Sequence, residues 1–360
     1  MIPIAKPCVG DEEAEAAATV IRSGMLASGK EVRMFEEEFA SYIGVPECIA
    51  TSNGTTALHV ALLAHDIGPG DEVIVPSFTF IATATSVSMT GATPVLADVD
   101  KKTYCIDPNS VMDVLTPKTK AVIGVHLFGQ ACDVRAIHDI CVDRSLEFIE
   151  DCAQAHGTEF NGKKVGSFGA CGCYSFYPTK NMTSGEGGMI TCQDDSLSER
   201  IRRLINHGQK EKYLHTELGY NFRLTDIAAA IGRVQLKKLP EMNKKRQDNA
   251  SYYNSSINND GIILPFTDPK SNHVFHQYAI CIRRNDMDRD SFAKVLLDNG
   301  IGTAVHYPIP IHKQPLYGNT SGSQCPVSES LSKEILSLPV YPDLQTDERK
   351  FVVETINGVN

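Results

Sequence analysis

The sequence lacks several features that assign proteins to a functional class. No apolar run approaches the roughly 20 residues needed to span a bilayer, and the N-terminus, MIPIAKPCVG, lacks the basic and apolar regions of a signal peptide. The 11 cysteines are odd in number and include no CxxC pair, and no His/Cys cluster has metal-site spacing. We therefore expect a cytoplasmic protein with free buried thiols and no metal ion.

Basic residues are also fewer than acidic residues. Lys and Arg number 34 against 44 Asp and Glu, which gives a net charge of -10 at pH 7. This balance argues against general affinity for nucleic acid or anionic membranes, so local donors must hold any anionic ligand. The 360 residues, 42% of them hydrophobic, can bury a large core and suggest two domains, or one large domain with an appendage.

Alternating strand-like and helical segments predict an α/β fold. Short apolar runs such as Glu72–Pro76, Pro94–Asp98 and Ala121–Leu127 have the composition of buried strands. Helical segments and short links separate them, which is the pattern of a parallel sheet. His126, at the end of one run, either faces a site or is a structural histidine.

The composition changes after Leu239-Pro240, where basic and polar residues become frequent. We therefore predict a large domain over residues 1–240 and a smaller α/β domain over residues 241–360. The smaller domain has predicted strands at Val274–Arg283 and Val305–Tyr307.

The stretch from Phe148 to Cys192 carries the residues best suited to chemistry. One apolar run ends in acidic residues that include Asp151, and a second run, Cys171–Tyr177, is followed closely by Lys180. Parallel strands deliver polar groups at their carboxyl ends, so the sheet can bring Asp151 and Lys180 together. Pyridoxal phosphate catalysis needs such a pair, because a lysine amine forms a Schiff base with the cofactor aldehyde while a carboxylate faces the pyridinium nitrogen. A lone lysine in a Gly-rich loop is more often a solvated surface group, which leaves this pairing a hypothesis.

Two helix starts are further candidates. The turn Ser52–Leu58 opens into a helix, and helix N-termini with nearby hydroxyls bind phosphate. Most Ser/Thr-rich helix starts are only caps, however. Farther along, Arg223 and Asp226 have the spacing of an ordinary helix-start pair.

Four sequence strings resemble a known family. They are EDCAQAHG (Glu150–Gly157), SFYPTKNMTSGEGG (Ser175–Gly188), SNGTTALHVAL (Ser52–Leu62) and LGYNFRLTDIAAAIGRVQL (Leu218–Leu236). Together they closely resemble the DegT/DnrJ/EryC1/StrS aminotransferases, the sugar-modifying branch of the fold type I pyridoxal phosphate enzymes. The resemblance runs from about Ile4 to beyond Pro342. It implies a large domain with a mostly parallel seven-stranded sheet flanked by helices, a smaller C-terminal α/β domain, and pyridoxal 5'-phosphate as cofactor.

The resemblance also implies a role for individual residues. Lys180 is the catalytic residue and Asp151 faces the ring nitrogen, while Phe80 stacks on the ring; without the resemblance, Phe80 would be assigned to the core. The other implied cofactor contacts are Gln154 at the ring hydroxyl, Gly54, Thr55, Thr56 and Ser175 at the phosphate, and Asn221, which reaches the phosphate of a neighbouring subunit. His306 and Tyr307 fall in the family's substrate-contacting region, although Pro-framed aromatic loops are commonly structural.

The implied reaction replaces a ketone on a nucleotide-linked sugar, at carbon 3 or carbon 4, with an amine from an amino acid such as L-glutamate. The implied assembly is a homodimer with shared active sites, with neither nucleic acid nor membrane as partner. Three alternatives remain: an aminotransferase acting on a cyclitol ketone, a dehydratase of the same family, and a binding or regulatory protein that keeps the fold. Family dehydratases have histidine where this chain has Lys180, which disfavours the second. The presence of both Asp151 and Lys180 disfavours the third.

Overall fold

The computed structural model of the chain describes residues 1–318 and 324–359. Helices and strands alternate through the first half of the chain, as the sequence pattern predicts. The helices are α1 (Asp11–Ser23), α2 (Lys30–Ile43), α3 (Gly54–Ala64), α4 (Ala82–Met89), α5 (Pro108–Val114), α6 (Val134–Arg144), α7 (Asp195–Leu204), α8 (Asp226–Ser256), α9 (Arg289–Asp298), α10 (Pro326–Glu334) and α11 (Thr346–Gly358). The strands are β1 (Glu47–Thr51), β2 (Glu72–Pro76), β3 (Thr93–Ala97), β4 (Thr119–Val125), β5 (Glu147–Asp151), β6 (Glu159–Phe160), β7 (Lys163–Lys164), β8 (Cys171–Ser175), β9 (Gly188–Cys192), β10 (Gln209–Glu211), β11 (Leu214–His215), β12 (Ile262–Ile263), β13 (Ser271–Asn272), β14 (Tyr278–Ile282) and β15 (Ile335–Leu338).

Seven strands form the central sheet in the order β1-β9-β8-β5-β4-β2-β3. β9 is antiparallel to both of its neighbours, and the other adjacent pairs are parallel. Helices cover both faces: α2 and α8 contribute to one buried cluster, and α3, α4 and α7 contribute to the other. The predicted fold class is therefore confirmed.

The sheet register places functional side chains at one edge. Asp151 is the last residue of β5 and lies opposite Val125 of β4 and Cys173 of β8. Ser175 is the last residue of β8, and the chain then turns toward Lys180, whose N–H donates to the Tyr177 carbonyl at 2.9 Å. Strands β5 and β8 are direct neighbours, so the sequence prediction that the sheet unites their carboxyl ends is confirmed.

A third buried apolar cluster lies toward the C-terminus, in addition to the two at the central sheet. Strands β12, β14 and β15 form a three-stranded antiparallel sheet. Tyr253, Tyr278, Phe292 and Val352 belong to its buried cluster, which also includes Ile2 from the start of the chain. The division into two domains stays a prediction.

The predicted boundary at Leu239-Pro240 falls inside a helix. α8 continues from Asp226 through Pro240 to Ser256, so the composition change does not mark a break in the chain. Polar residues of α8 beyond Pro240 pack against other elements: Asn249, for example, donates to the Tyr341 carbonyl at 3.1 Å. A polar composition here indicates buried hydrogen bonding and not a linker.

The predicted strand at Val305–Tyr307 is wrong. Only the preceding residue, Ala304, forms an isolated bridge with Ser337, and the segment then leaves the sheet. Pro308 and Pro310 lack the N–H that a continued ladder requires.

Of the helices described, none combines the length and apolar character that a membrane-crossing segment needs.

Candidate active site

A cavity of about 660 Å³ opens at the carboxyl ends of the central strands. It gathers residues from β5, the start of α3, the segment before α4, the end of β8 and the loop after Val305. The predicted site residues that line it are Gly54, Thr55, Thr56, Phe80, Asp151, Gln154, Ser175, Lys180, His306 and Tyr307. Its size is typical of a small-molecule site.

Asp151 is a buried carboxylate in this cavity. Its Oδ1 accepts from the Ala153 N–H at 3.1 Å, and its Oδ2 accepts from the Thr83 hydroxyl at 2.9 Å. Burial raises the pKa of Asp151, although these two hydrogen bonds and the nearby charge of Lys180 oppose the rise. The site thus holds an acid whose ionised form still lacks a close cation, and a cationic ligand group would supply one.

The neighbouring acid, Glu150, is satisfied within the protein. It points to the opposite face of β5, where its oxygens accept from the N–H groups of Gly166 at 2.7 Å and of Phe168 and Gly169 at 2.8 Å. His126 Nε2 lies 3.0 Å from Glu150 Oε2, so the structural interpretation of this buried histidine is confirmed. Burial alone raises the pKa of Glu150, but the hydrogen bonds from His126 and the backbone bring it below its ordinary value.

Glu150, His126 and Cys152 also form the one group of close potential metal ligands among the described residues, with ligand atoms within 4.8 Å of one another. Because four donors already occupy the Glu150 oxygens, we assign the group a structural role.

Lys180 lies half-buried in the same cavity. Burial lowers the pKa of its amine to about 8, while the negative charge of Asp151 opposes the shift. An amine with this pKa is partly neutral near pH 7 and can act as a nucleophile or accept a proton. The alternative interpretation, a solvated surface lysine, is wrong.

The start of α3 forms an anion-binding turn. The Asn53 side chain caps the helix by accepting from the Thr56 N–H at 2.9 Å. Among the described residues no acceptor bonds the N–H groups of Gly54 and Thr55, which therefore remain available to a ligand. A Cβ at Gly54 would lie 2.7 Å from the Ser175 Cβ, so glycine allows the turn to approach β8 closely. The Thr56 hydroxyl donates to the Asn53 carbonyl at 2.8 Å within the cap, and Thr56 is available to a ligand only in part.

Three side chains form the opposite wall. Phe80 is 55% exposed, so its assignment to the core on sequence alone is wrong, and its ring centroid lies 6.1 Å from that of Tyr307. Tyr307 accepts a hydrogen bond from Gln154 Nε2 at 2.9 Å, and Gln154 Oε1 accepts from the Phe128 N–H at 2.8 Å. This wall offers a flat apolar face with amide and phenol groups beside it.

His306 lines the cavity and its Nδ1 lies 2.9 Å from the Ser337 hydroxyl. Burial and the nearby charge of Lys180 lower the pKa of His306 to about 4, so its ring is neutral at pH 7.

Asn221 does not line this cavity and its side chain is exposed. It forms an isolated bridge with Asn206, and the next carbonyl, that of Phe222, accepts from the Ser52 N–H at 2.7 Å. Asp226 is the first residue of α8, but Arg223 donates to Asn206 and not to Asp226. Asp226 instead accepts from the N–H groups of Gly29 and Val32 at the start of α2.

Sequence reasoning missed Thr83, the hydroxyl donor to Asp151, and it assigned no role to Glu186 or His276, which also line the cavity. Thr83 lies in an Ala- and Ser-rich helix without a motif of its own. No local signal distinguishes it from Thr79 or Thr85.

The donor set fits pyridoxal phosphate. A buried acid without a close cation suits the protonated ring nitrogen, a lysine with a lowered pKa suits the aldehyde, and unbonded N–H groups at a helix start suit the phosphate. The exposed Phe80 ring offers a stacking surface.

Comparison with known proteins agrees with this fit. The model of the DegT/DnrJ/EryC1/StrS aminotransferase family matches residues 7–357. The dTDP-3-amino-3,6-dideoxy-alpha-D-galactopyranose transaminase of Aneurinibacillus thermoaerophilus is 43% identical over 344 residues, which cover 95% of this chain and 94% of that relative. The UDP-N-acetyl-3-dehydro-alpha-D-glucosamine 3-aminotransferase of Acidithiobacillus ferrooxidans is 40% identical over 339 residues, covering 94% of this chain and 91% of that relative. The PLP-form structure of Spr1654 from Streptococcus pneumoniae superposes with a TM-score of 0.93 at 26% identity, covering 99% of this chain and 97% of that one.

Proposed function

The chain belongs to the DegT/DnrJ/EryC1/StrS aminotransferase family, and from this premise we propose that it aminates a ketone of a nucleotide-linked sugar. It is an aminotransferase that depends on pyridoxal phosphate. The observation that best supports the proposal is the meeting of Asp151 and Lys180 in one cavity. When bound, the cofactor supplies an electron sink that makes the donor's alpha carbon acidic.

Each residue of the cavity then has a task that follows from its surroundings. Lys180 would anchor the cofactor through its amine, and the same amine would move a proton between the donor's alpha carbon and the cofactor's aldehyde carbon. Asp151, held by Thr83 and the Ala153 N–H, keeps the ring nitrogen protonated. Phe80 would pack against the ring, and Gln154 would hold the ring hydroxyl.

The phosphate is held without a basic side chain from the same cavity. Among the described lining residues Lys180 is the only lysine or arginine, and its amine would be engaged by the cofactor aldehyde. The N–H groups of Gly54 and Thr55, with the Ser175 hydroxyl, are the available donors, and Thr56 shapes the turn.

For the sugar substrate we propose a 3-keto nucleotide sugar with L-glutamate as donor. Both relatives described above have names that place the amine at carbon 3, one on a dTDP sugar and the other on a UDP sugar. His306 and Tyr307 line the cavity, and the neutral imidazole of His306 can share a hydrogen bond with a sugar hydroxyl.

Matched pairs of 3-keto and 4-keto sugars, on dTDP and on UDP, test this proposal. Each is incubated with holoenzyme and glutamate, and mass spectrometry follows the amino product. We expect turnover of a 3-keto sugar. Turnover of only 4-keto sugars or of a cyclitol ketone would contradict the substrate assignment, and loss of a hydroxyl without amination would indicate a dehydratase.

We further propose a homodimer in which Asn221 of each chain completes the partner's site. Asn221 is exposed outside its own cavity, and that cavity is poor in positive charge for a ligand with several phosphates. A two-fold contact is isologous, so one interface forms both shared sites at once.

Mixing two inactive variants tests the sharing. Lys180→Ala and Asn221→Ala chains are unfolded and refolded together with different tags, and mixed dimers are isolated. One of the two sites in each mixed dimer has Lys180 and a partner with intact Asn221, so we expect up to about half of the wild-type activity per dimer. Mixed dimers without recovered activity would contradict sharing.

A further inference from the structure

Cys171 and Cys192 lie side by side on neighbouring strands of the central sheet. They are directly opposite in the antiparallel pair β8–β9. Opposite residues in such a pair have Cα atoms about 4.5–5.5 Å apart, which is within the range of disulfide bonds. No other cysteine lies opposite a cysteine in the described sheet: Cys173 is opposite Ile190, and Cys48 is opposite Thr191.

The opposite positions of the two thiols let each affect the ionisation of the other. A hydrogen bond from the Cys171 thiol is the largest cause that lowers the pKa of Cys192, to about 7. Cys192 is therefore partly thiolate near neutral pH, and the thiolate is the reactive form. When protonated, Cys192 Sγ donates to the Asp194 carbonyl at 3.2 Å.

A base lies beside Cys171. His65 Nε2 is 3.9 Å from Cys171 Sγ, and His65 Nδ1 is 3.6 Å from Glu147 Oε2. Burial lowers the pKa of His65, so its ring is neutral at pH 7 and can accept a proton. The hydrogen bond to Cys192 and burial raise the pKa of Cys171, so this residue stays a thiol until it attacks and passes its proton to His65 in the same step.

We propose that Cys171 and Cys192 form a peroxide-sensitive thiol pair that closes to a disulfide across β8 and β9. The Cys192 thiolate attacks one peroxide oxygen, the O–O bond breaks, and Cys192 becomes a sulfenic acid. The hydroxide that leaves takes up the proton that the Cys192 thiol had released and becomes the first water. Cys171 gives its proton to His65 and attacks the Cys192 sulfur; the S–O bond breaks, and the leaving hydroxide takes the proton from His65. In sum, two thiols and one hydrogen peroxide give one disulfide and two waters.

The location suits a small oxidant. Both cysteines are 1% exposed, but Gln193 and Asp194, which follow Cys192 directly, are exposed. Burial therefore keeps the thiols away from a protein oxidant, and the exposed residues beside Cys192 place the pair close to the surface, which favours a small oxidant such as peroxide.

The pair is separate from the transamination site. Cys171 begins β8 and Ser175 ends it, four residues or about 13 Å away along the strand. Formation of the disulfide is therefore independent of the proposed function, and its failure leaves that function untouched.

Peptide mapping of the oxidised holoenzyme tests the proposal. The holoenzyme is treated with hydrogen peroxide, its free thiols are blocked with N-ethylmaleimide in denaturant, and it is digested with trypsin without reductant. Cys171 and Cys173 fall in the peptide 165–180, and Cys192 falls in the peptide 181–200. We expect the two peptides to be linked in the wild type, and dithiothreitol to separate them.

Cys173→Ser is the matched control, because Cys173 is equally buried on the same strand but lacks a cysteine opposite. It should retain the link, whereas Cys171→Ser and Cys192→Ser should lose it. A link that survives in Cys171→Ser, or wild-type Cys192 that is oxidised only to sulfinic acid, would overturn the proposal. If a serine variant fails to fold, tandem mass spectrometry of the linked peptides from the wild type identifies which cysteine is bonded. A bond between Cys173 and Cys192 would refute the proposal.

Discussion

Replacement of Lys180 by alanine abolishes transamination and removes the near-visible absorbance of lysine-bound pyridoxal phosphate. The variant loses both the covalent anchor and the amine that moves the proton, so we expect turnover to fall by at least about 10³-fold. Absorbance spectra of the holoenzyme and single-turnover assays with glutamate measure the two effects.

Unfolding does not account for this loss. Burial lowers the pKa of Lys180 to about 8, which means that folding disfavours its ammonium form, and removal of the amine costs the cofactor-free chain no ionic stabilisation. The thermal midpoint of the cofactor-free variant should match that of the wild type. The control is Lys120→Ala, an exposed lysine on β4, which should keep wild-type absorbance and turnover. Turnover by Lys180→Ala without an added amine would contradict the assignment.

Replacement of Asp151 by asparagine leaves the cofactor bound but slows transamination strongly. A carboxylate beside the ring nitrogen raises the nitrogen's pKa by roughly one to three units, and asparagine lacks the charge. We therefore expect turnover to fall by about 10- to 10³-fold, because the unprotonated ring is a poorer electron sink. Stopped-flow measurement of the half-reaction with glutamate detects the change, and near-normal rates would show that Asp151 is misplaced.

Glu150→Gln is the matched control for Asp151→Asn. The pKa of Glu150 is lowered in the folded chain, so its contribution to stability is present at neutral pH and lost as the pH falls through that lowered value. The glutamine side chain has one oxygen where glutamate has two, so at least one buried N–H donor loses its acceptor. This loss lowers the free energy of unfolding by on the order of 2 kcal/mol. The pKa of Asp151 is raised, so its ionised form destabilises the cofactor-free chain at neutral pH. Glu150→Gln should therefore lower the thermal midpoint, whereas Asp151→Asn should leave it unchanged or raise it.

The sequence was sufficient to predict the central pair because each member has a local signature. Asp151 and Lys180 each follow a buried strand, and parallel strands end at a common edge. The pair alone left the cofactor a hypothesis, and the resemblance of four longer strings to one family was needed to imply pyridoxal phosphate. The turn at Gly54 and Thr55 has the chemistry of a helix start, but most such starts are only caps, and its assignment to the phosphate came from the resemblance.

Other features depend on contacts between distant segments. Thr83 and Asp151 are 68 residues apart, and only the packing of α4 against the end of β5 brings them together. The predicted boundary at Leu239-Pro240 lies inside α8, because this helix accommodates a proline that usually interrupts one, and the division into two domains stays a prediction. The prediction at Val305–Tyr307 failed because an apolar, β-branched start was followed by prolines that end the ladder.

The most direct test of the central claim is to find the lysine that bears the cofactor. Reduction of the holoenzyme with borohydride locks pyridoxal phosphate onto its lysine, and tryptic mapping then locates the label. A labelled lysine resists trypsin, so we expect one labelled peptide spanning 165–200, with the pyridoxyl group on Lys180. A label on any other lysine, or no stable label in a holoenzyme that transaminates, would contradict the account.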